Sequence, residues 1–126
     1  VTPPQAARGH LTKAQEFLAE AKSALANGHP NAATSNAVIA GINAKDAICL
    51  ALVGKTSKAD DHRQAVSELR KAGKIGVDLA VTLDRLLKPK TKSQYQSLSM
   101  GIEVAETAVK HAARLVEQAE QVVPPM

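Results

Sequence analysis

Residues 30–54 read PNAATSNAVIAGINAKDAICLALVG, and this stretch decides the fold. It predicts a helix from about Pro30 to Gly54 with two apolar stripes. The narrow one is Ala33, Ala37, Ala40, Ala44, Ala47 and Ala51. The wider one is Val38, Ile42, Cys49 and Val53. A helix apolar on two sides is central to its domain or is covered by a second subunit. The alanine stripe lets another helix approach closely. Lys45 and Asp46 interrupt this apolar helix, and a charge buried there needs a partner.

Helical periodicity continues on both sides. Upstream, Leu11, Ala14, Leu18, Ala21 and Leu25 recur every three or four residues, which predicts a helix from about Pro4 to Ala26. Thr2 is placed to cap it, and Asn27-Gly28 to stop it. Downstream, a third helix is expected over about 58–71, capped by Thr56 or Ser57, with Ala65, Val66 and Leu69 inward. After a break at 72–76, a fourth helix runs from about Val77 to Lys88 on Leu79, Leu83, Leu86 and Leu87, and Pro89 is expected to end it. A fifth, opening after Lys90-Thr91-Lys92-Ser93 and reaching Val122, carries Ile102, Ala105, Val109, Ala112, Val116 and Ala119. Short connections between long helices favour antiparallel neighbours. The expected fold class is therefore all-α, an up-and-down antiparallel bundle of about five helices in one domain over residues 1–126.

Composition agrees and excludes several functions. Aromatic residues are only 2%, so the core must be aliphatic. Cys49 is the single cysteine, which rules out an internal disulfide or a cysteine-rich zinc site and suits a cytoplasmic setting. The first residues lack the pattern of a signal peptide, and no apolar run is long enough to span a bilayer, so no membrane role is expected. His10, His29, His62 and His111 form no ligand pair at helical spacing, and no metal or other cofactor is expected. Val53-Gly54-Lys55-Thr56 has the ending of a phosphate loop without its upstream glycine or strand. The net charge is +4, and its whole excess lies between Gly54 and Lys92, where ten Lys/Arg face five Asp/Glu. Such a stretch attracts phosphate or an acidic partner.

Three polar groups stand out as candidate ligand-binding residues. They are Lys45 with Asp46, His62 with Arg63, and Lys90, Lys92 and Tyr95 at the expected start of the fifth helix. A helix N-terminus carrying lysines suits an anion.

The chain also resembles the HEPN superfamily (higher eukaryotes and prokaryotes nucleotide-binding). The resemblance starts at Ala14-x-x-Phe17-Leu18-x-x-Ala21 and continues through Asn31-Ala32-Ala33-x-Ser35-Asn36-Ala37-Val38-Ile39-Ala40-Gly41-Ile42-x-Ala44 and Asp46-Ala47. It resumes at Asp61-His62-Arg63 and at Leu86-Leu87-Lys88-Pro89-Lys90-x-Lys92-x-x-Tyr95. This resemblance implies a helical bundle that forms homodimers. Many such domains are metal-independent ribonucleases with an Arg followed four to six residues later by His. None of Arg8, Arg63, Arg70, Arg85 and Arg114 has a histidine at that distance. Other members act with a nucleotidyltransferase-type partner in bacterial toxin–antitoxin or stress-response pairs, and some carry a tyrosine that the partner modifies, in a place comparable to Tyr95.

The expected function is that of a non-catalytic HEPN-like domain that binds nucleotide or RNA, or acts with a nucleotidyltransferase-like protein. Lys45, Asp46, His62, Arg63, Lys90, Lys92 and Tyr95 would face one cleft. Two alternatives stay open. One is a divergent endoribonuclease using His62 and Arg63. The other is a helical interaction module that docks through its second helix.

Overall fold

The computed structural model describes residues 1–58, 61–96 and 101–125, with the side chains of 89–96 left aside. Among these residues there are five helices and no strand: α1 (Pro3–Ala26), α2 (Pro30–Leu52), α3 (His62–Arg70), α4 (Gly73–Gln96) and α5 (Ile102–Val122).

α1 opens on a reciprocal cap. The Thr2 hydroxyl accepts from the Gln5 N–H at 3.3 Å, and the Gln5 side chain accepts from the Thr2 N–H at 2.9 Å. The helix closes where Gly28 takes a φ of +74°. The N–H groups of Gly28 and His29 then return to the carbonyls of Leu25 and Ala24. Its apolar stripe of Ala7, Leu11, Ala14, Leu18 and Ala21 is buried.

α2 is the central element and touches each of the other four helices. Its alanine stripe from Ala33 to Ala47 is buried, together with Val38, Ile48 and Cys49. The chain itself therefore covers both faces for most of the helix. Leu52 and Val53 at its C-terminal end stay exposed. Gly41 marks the tightest crossing, because a Cβ there would run into the Leu86 side chain of α4 and sit 3.4 Å from Leu115 of α5. All five helices contribute to one buried aliphatic cluster.

Three boundaries differ from the sequence expectation. α3 begins at His62 with Asp61 as its cap, accepting from the Arg63 N–H at 2.8 Å, whereas Thr56 and Ser57 spend their hydroxyls on carboxylates. The break at 72–76 is shorter than expected. Gly73, with φ +76°, turns the chain straight into α4, and Gly76 lies against the Leu69 carbonyl. Pro89 does not end α4, which runs on to Gln96. Proline lacks an N–H, so this continuation forfeits one ladder hydrogen bond, while Leu79, Leu83, Leu86 and Leu87 anchor the preceding turns in the core. Lys90, Lys92 and Tyr95 thus belong to the last turns of α4 and do not open α5.

Candidate functional site

α2 carries Lys45 into the interior, where its side chain is 1% exposed. Its ammonium has three protons, and three acceptors meet it: Asp46 Oδ1 at 3.0 Å, Thr56 Oγ1 at 3.0 Å and Glu68 Oε1 at 2.6 Å. The Thr56 hydroxyl donates in turn to Asp46 Oδ1 at 2.6 Å, and the Ser57 hydroxyl donates to Glu68 Oε2 at 2.6 Å. The Gln64 amide closes the outer edge by donating to Ser57 Oγ at 3.1 Å. On the other side, His10 Nδ1 lies 2.9 Å from Asn43 Oδ1 and 3.8 Å from Asp46 Oδ2.

The electrostatics follow from these contacts. Burial alone would lower the Lys45 pKa, but the hydrogen bond to Glu68 and the charge of Asp46 outweigh it and hold the ammonium above its ordinary value. Burial would raise Glu68, yet its bonds from Lys45 and Ser57 keep the carboxyl below the usual range. Cys49 packs beside them, its thiol 3.7 Å from the Glu68 carbonyl and pushed up to about 11 by burial. Every proton of Lys45 is engaged, so the group works as a clamp between α2, the following loop and α3. A cavity of about 290 Å³ adjoins it, walled by Cys49 and Val53, with Lys55 and Lys71 among its lining residues.

His62 and Arg63 stand apart from this clamp. His62 Nε2 lies 2.8 Å from Asp84 Oδ1 of α4, and the Lys88 ammonium donates to Asp84 Oδ2 at 3.2 Å. The His62 hydrogen bond, then Lys88, hold the Asp84 carboxyl below its ordinary value. Arg63 is exposed, with no side-chain partner among the described residues. The structure thus brings Lys45 together with Asp46 and places His62 with Asp84. The side chains of Lys90, Lys92 and Tyr95 lie outside the described residues.

One group escaped the sequence reading. Between α4 and α5, Arg85, Glu103, Val104, Thr107, Ala108 and His111 line a groove of about 280 Å³. Burial, then the charges of Arg85 and Arg114, hold the His111 pKa below its ordinary value. Arg85 and His111 come from two helices, so no linear spacing could reveal them. The only signal was a histidine and an arginine one turn apart on α5, at 111 and 114.

Among the described residues no helix is long and apolar enough to cross a membrane, and no group of three or more His, Cys, Asp or Glu is placed to hold a metal ion. No curated protein matches the chain. The model of the HEPN domain matches residues 7–122, from within α1 to the end of α5. With its five helices in the order and packing described above, the chain belongs to the HEPN domain family.

Proposed function

We propose that this chain is a non-catalytic HEPN domain that binds RNA or a nucleotide through the basic surface of α3, α4 and the loop before them. One observation carries this reading. Two acidic groups of that region are spent internally, Glu68 on Lys45 and Asp84 on His62 and Lys88, and Asp61 caps α3, while Asp78 stays exposed. Lys55, Lys58, Arg63, Arg70, Lys71, Lys74 and Arg85 have no ion-pair partner among the described residues. A surface whose cations are left unneutralised gains counterion-release affinity for a phosphate chain. The proposed ligand-binding residues also include Lys90, Lys92 and Tyr95, further along the sequence, since an aromatic ring suits stacking on a base. Lys45 and Asp46 hold α3 in place beneath the basic surface.

The non-catalytic part rests on the missing Arg–His spacing and on the engagement of His62 by Asp84. The homodimer belongs to the same proposal. Val77 and Val81 stand one turn apart on α4, 53% and 52% exposed, and offer an apolar strip for a second copy. A nucleotidyltransferase-type partner in a bacterial toxin–antitoxin or stress-response pair, acting in the cytoplasm, is the setting this reading favours.

Fluorescence anisotropy with a labelled single-stranded RNA tests it. Affinity is expected to fall with salt at a slope of about −0.7 per phosphate contact, and each Lys or Arg replaced on this surface should lower the slope by about that amount. RNA binding that is absent, or indifferent to salt, would sink the proposal. RNA that is cut by wild type and spared by His62→Ala would replace it with the endoribonuclease reading.

A further inference from the structure

α2 and α3 both end at the cavity beside the Lys45 clamp, and its wall is mainly apolar. Cys49 and Val53 of α2 supply that wall, and Leu52 next to Val53 stays 46% exposed. The Cys49 thiol, pushed up to about 11, is protonated at neutral pH and brings no charge. The other polar groups of the lining are spent on the clamp. Thr56 donates to Asp46, Ser57 donates to Glu68, and Glu68 accepts from the buried Lys45 ammonium. Lys55 and Lys71 complete the lining, both exposed and without an ion-pair partner among the described residues. The lining therefore holds two free ammonium groups and one carboxylate, and a buried cation already meets that carboxylate.

The size, wall and charge of the hollow select its occupant. A volume of about 290 Å³ is the space of roughly ten non-hydrogen atoms, at about the 30 Å³ that one water takes in the liquid. Lysine stems lie along apolar surface while their ammonium groups stay in water, so the two charges belong to the mouth. The last carbonyls of α2 and α3 carry partial negative charge, which keeps an anionic head off the floor and turns an uncharged tail inward.

We infer that this hollow binds a small amphiphilic carboxylate, with an alkyl tail of about six to eight carbons against Cys49 and Val53 and the carboxylate at the mouth with Lys55 and Lys71. The inference goes beyond RNA binding and does not rest on it, since a phosphate chain uses the same lysines without entering the hollow. Tail and head contribute separately. Each methylene that enters strengthens binding about fourfold until the hollow is full. The head adds a charge contact that salt weakens.

The test is an NMR titration of the full chain at pH 7 and low salt, read at the Val53 methyl groups. The probes are butanoate, hexanoate, octanoate and decanoate below their micelle concentrations, with octanol and octylammonium as controls for the head. The expected result is one site whose affinity climbs about fourfold per methylene up to octanoate and levels off towards decanoate. Octylammonium should bind at least about tenfold more weakly than octanoate, because it meets the same lysines as a like charge. Lys71→Gln and Lys55→Gln, both at exposed positions, should each weaken octanoate about threefold to fivefold and leave octanol unchanged. Circular dichroism of the two variants checks the fold. Val53 methyl groups that no carboxylate moves would overturn the inference. So would octylammonium binding as tightly as octanoate, which would leave the lysines without a role. Affinity that keeps climbing through decanoate, with shifts spread over the surface, would overturn it too, as adsorption of any long chain.

Discussion

Lys45 of α2 and Glu68 of α3 meet at 2.6 Å across 23 residues of sequence, and this contact fastens the shortest helix to the centre of the bundle. α3 is nine residues long and buries only Ala65, Val66 and Leu69, so its apolar surface is small. A helix that short has little stability of its own. The ammonium is 1% exposed, and removing it leaves the Glu68 and Asp46 carboxylates without their shared cation. Lys45→Ala is expected to cost about 3–5 kcal/mol, as for other buried pairs broken on one side. Lys45→Met combined with Glu68→Leu should cost much less than the sum of the two single changes. Urea unfolding followed by circular dichroism measures all of these, and additive losses would show that the pair is not coupled.

The same groups set the acid and alkaline limits of stability. Glu68 and Asp84 have carboxyls below their ordinary values of 4.5 and 3.8, so the native state gives up its protons more readily than the unfolded chain. Their contribution is present above those values and is lost as pH falls below them. Asp84 contributes less, because water screens it at 39% exposure. Lys45 lies above its ordinary 10.5, so its contribution is complete below that pH and is lost as pH rises through the higher native value. His111, held below 6.5, adds a separate loss as pH falls through that value, because the unfolded chain then binds the proton first. Midpoints of urea unfolding between pH 3 and 11 should therefore trace a plateau with an acid shoulder. His111→Gln should remove the shoulder, and Glu68→Gln should flatten the steeper acid limb. A shoulder that survives His111→Gln would contradict the assignment.

Much of the bundle was legible in the sequence, because a period of three to four residues is a local signal. The stripes Leu11–Ala14–Leu18–Ala21 and Ala105–Val109–Ala112–Val116–Ala119 are buried as the spacing requires. Ile102, first on the α5 stripe, is 43% exposed because it sits at the helix start, beyond the packed turns. Boundaries were less legible. Pro89 has a strong local preference against helix interiors, and the leucines before it override that preference. The need of Lys45 for a partner could be read from its neighbours, but the identity of that partner could not, since Glu68 is brought there by the loop and α3. Pairs made between helices, such as Arg85 with His111, leave no mark in linear spacing.

Gly41 and Gly76 make a paired test of packing. A methyl group at position 76 meets the Leu69 carbonyl and comes within 2.9 Å of the Ala72 Cβ, so backbone must move. At position 41 the obstacle is the end of the Leu86 side chain, which has other rotamers, with Leu115 next at 3.4 Å. Both substitutions gain helix propensity of about 1 kcal/mol from Gly to Ala. Gly76→Ala should nevertheless destabilise by about 1–3 kcal/mol, and by more than Gly41→Ala. Thermal unfolding of the two variants decides the order, and equal losses would mean that the α3–α4 junction yields as easily as a leucine rotates.

Cys49 offers a reporter for the clamp from inside the bundle. Its thiol is 2% exposed and sits at about 11 against an ordinary 9.0. At pH 8 that leaves about a hundredfold less thiolate than a free cysteine, before any barrier to access is counted. Reaction with a disulfide reagent should therefore be slow in the native protein and fast in urea. Lifting α3 from α2 would open the way to the thiol, which is nearly buried against the Glu68 carbonyl. Lys45→Met removes the ammonium that holds Glu68, so it should accelerate labelling, while a surface change such as Lys13→Ala should not. The acceleration separates two openings. If it equals the factor given by the loss of global stability, the clamp opens only when the bundle unfolds. If it is larger, α3 detaches on its own, as a short helix with three buried residues is expected to do. Labelling that is fast in the wild type, or unchanged by Lys45→Met, would show that the contact between Lys45 and Glu68 does not govern access to the core.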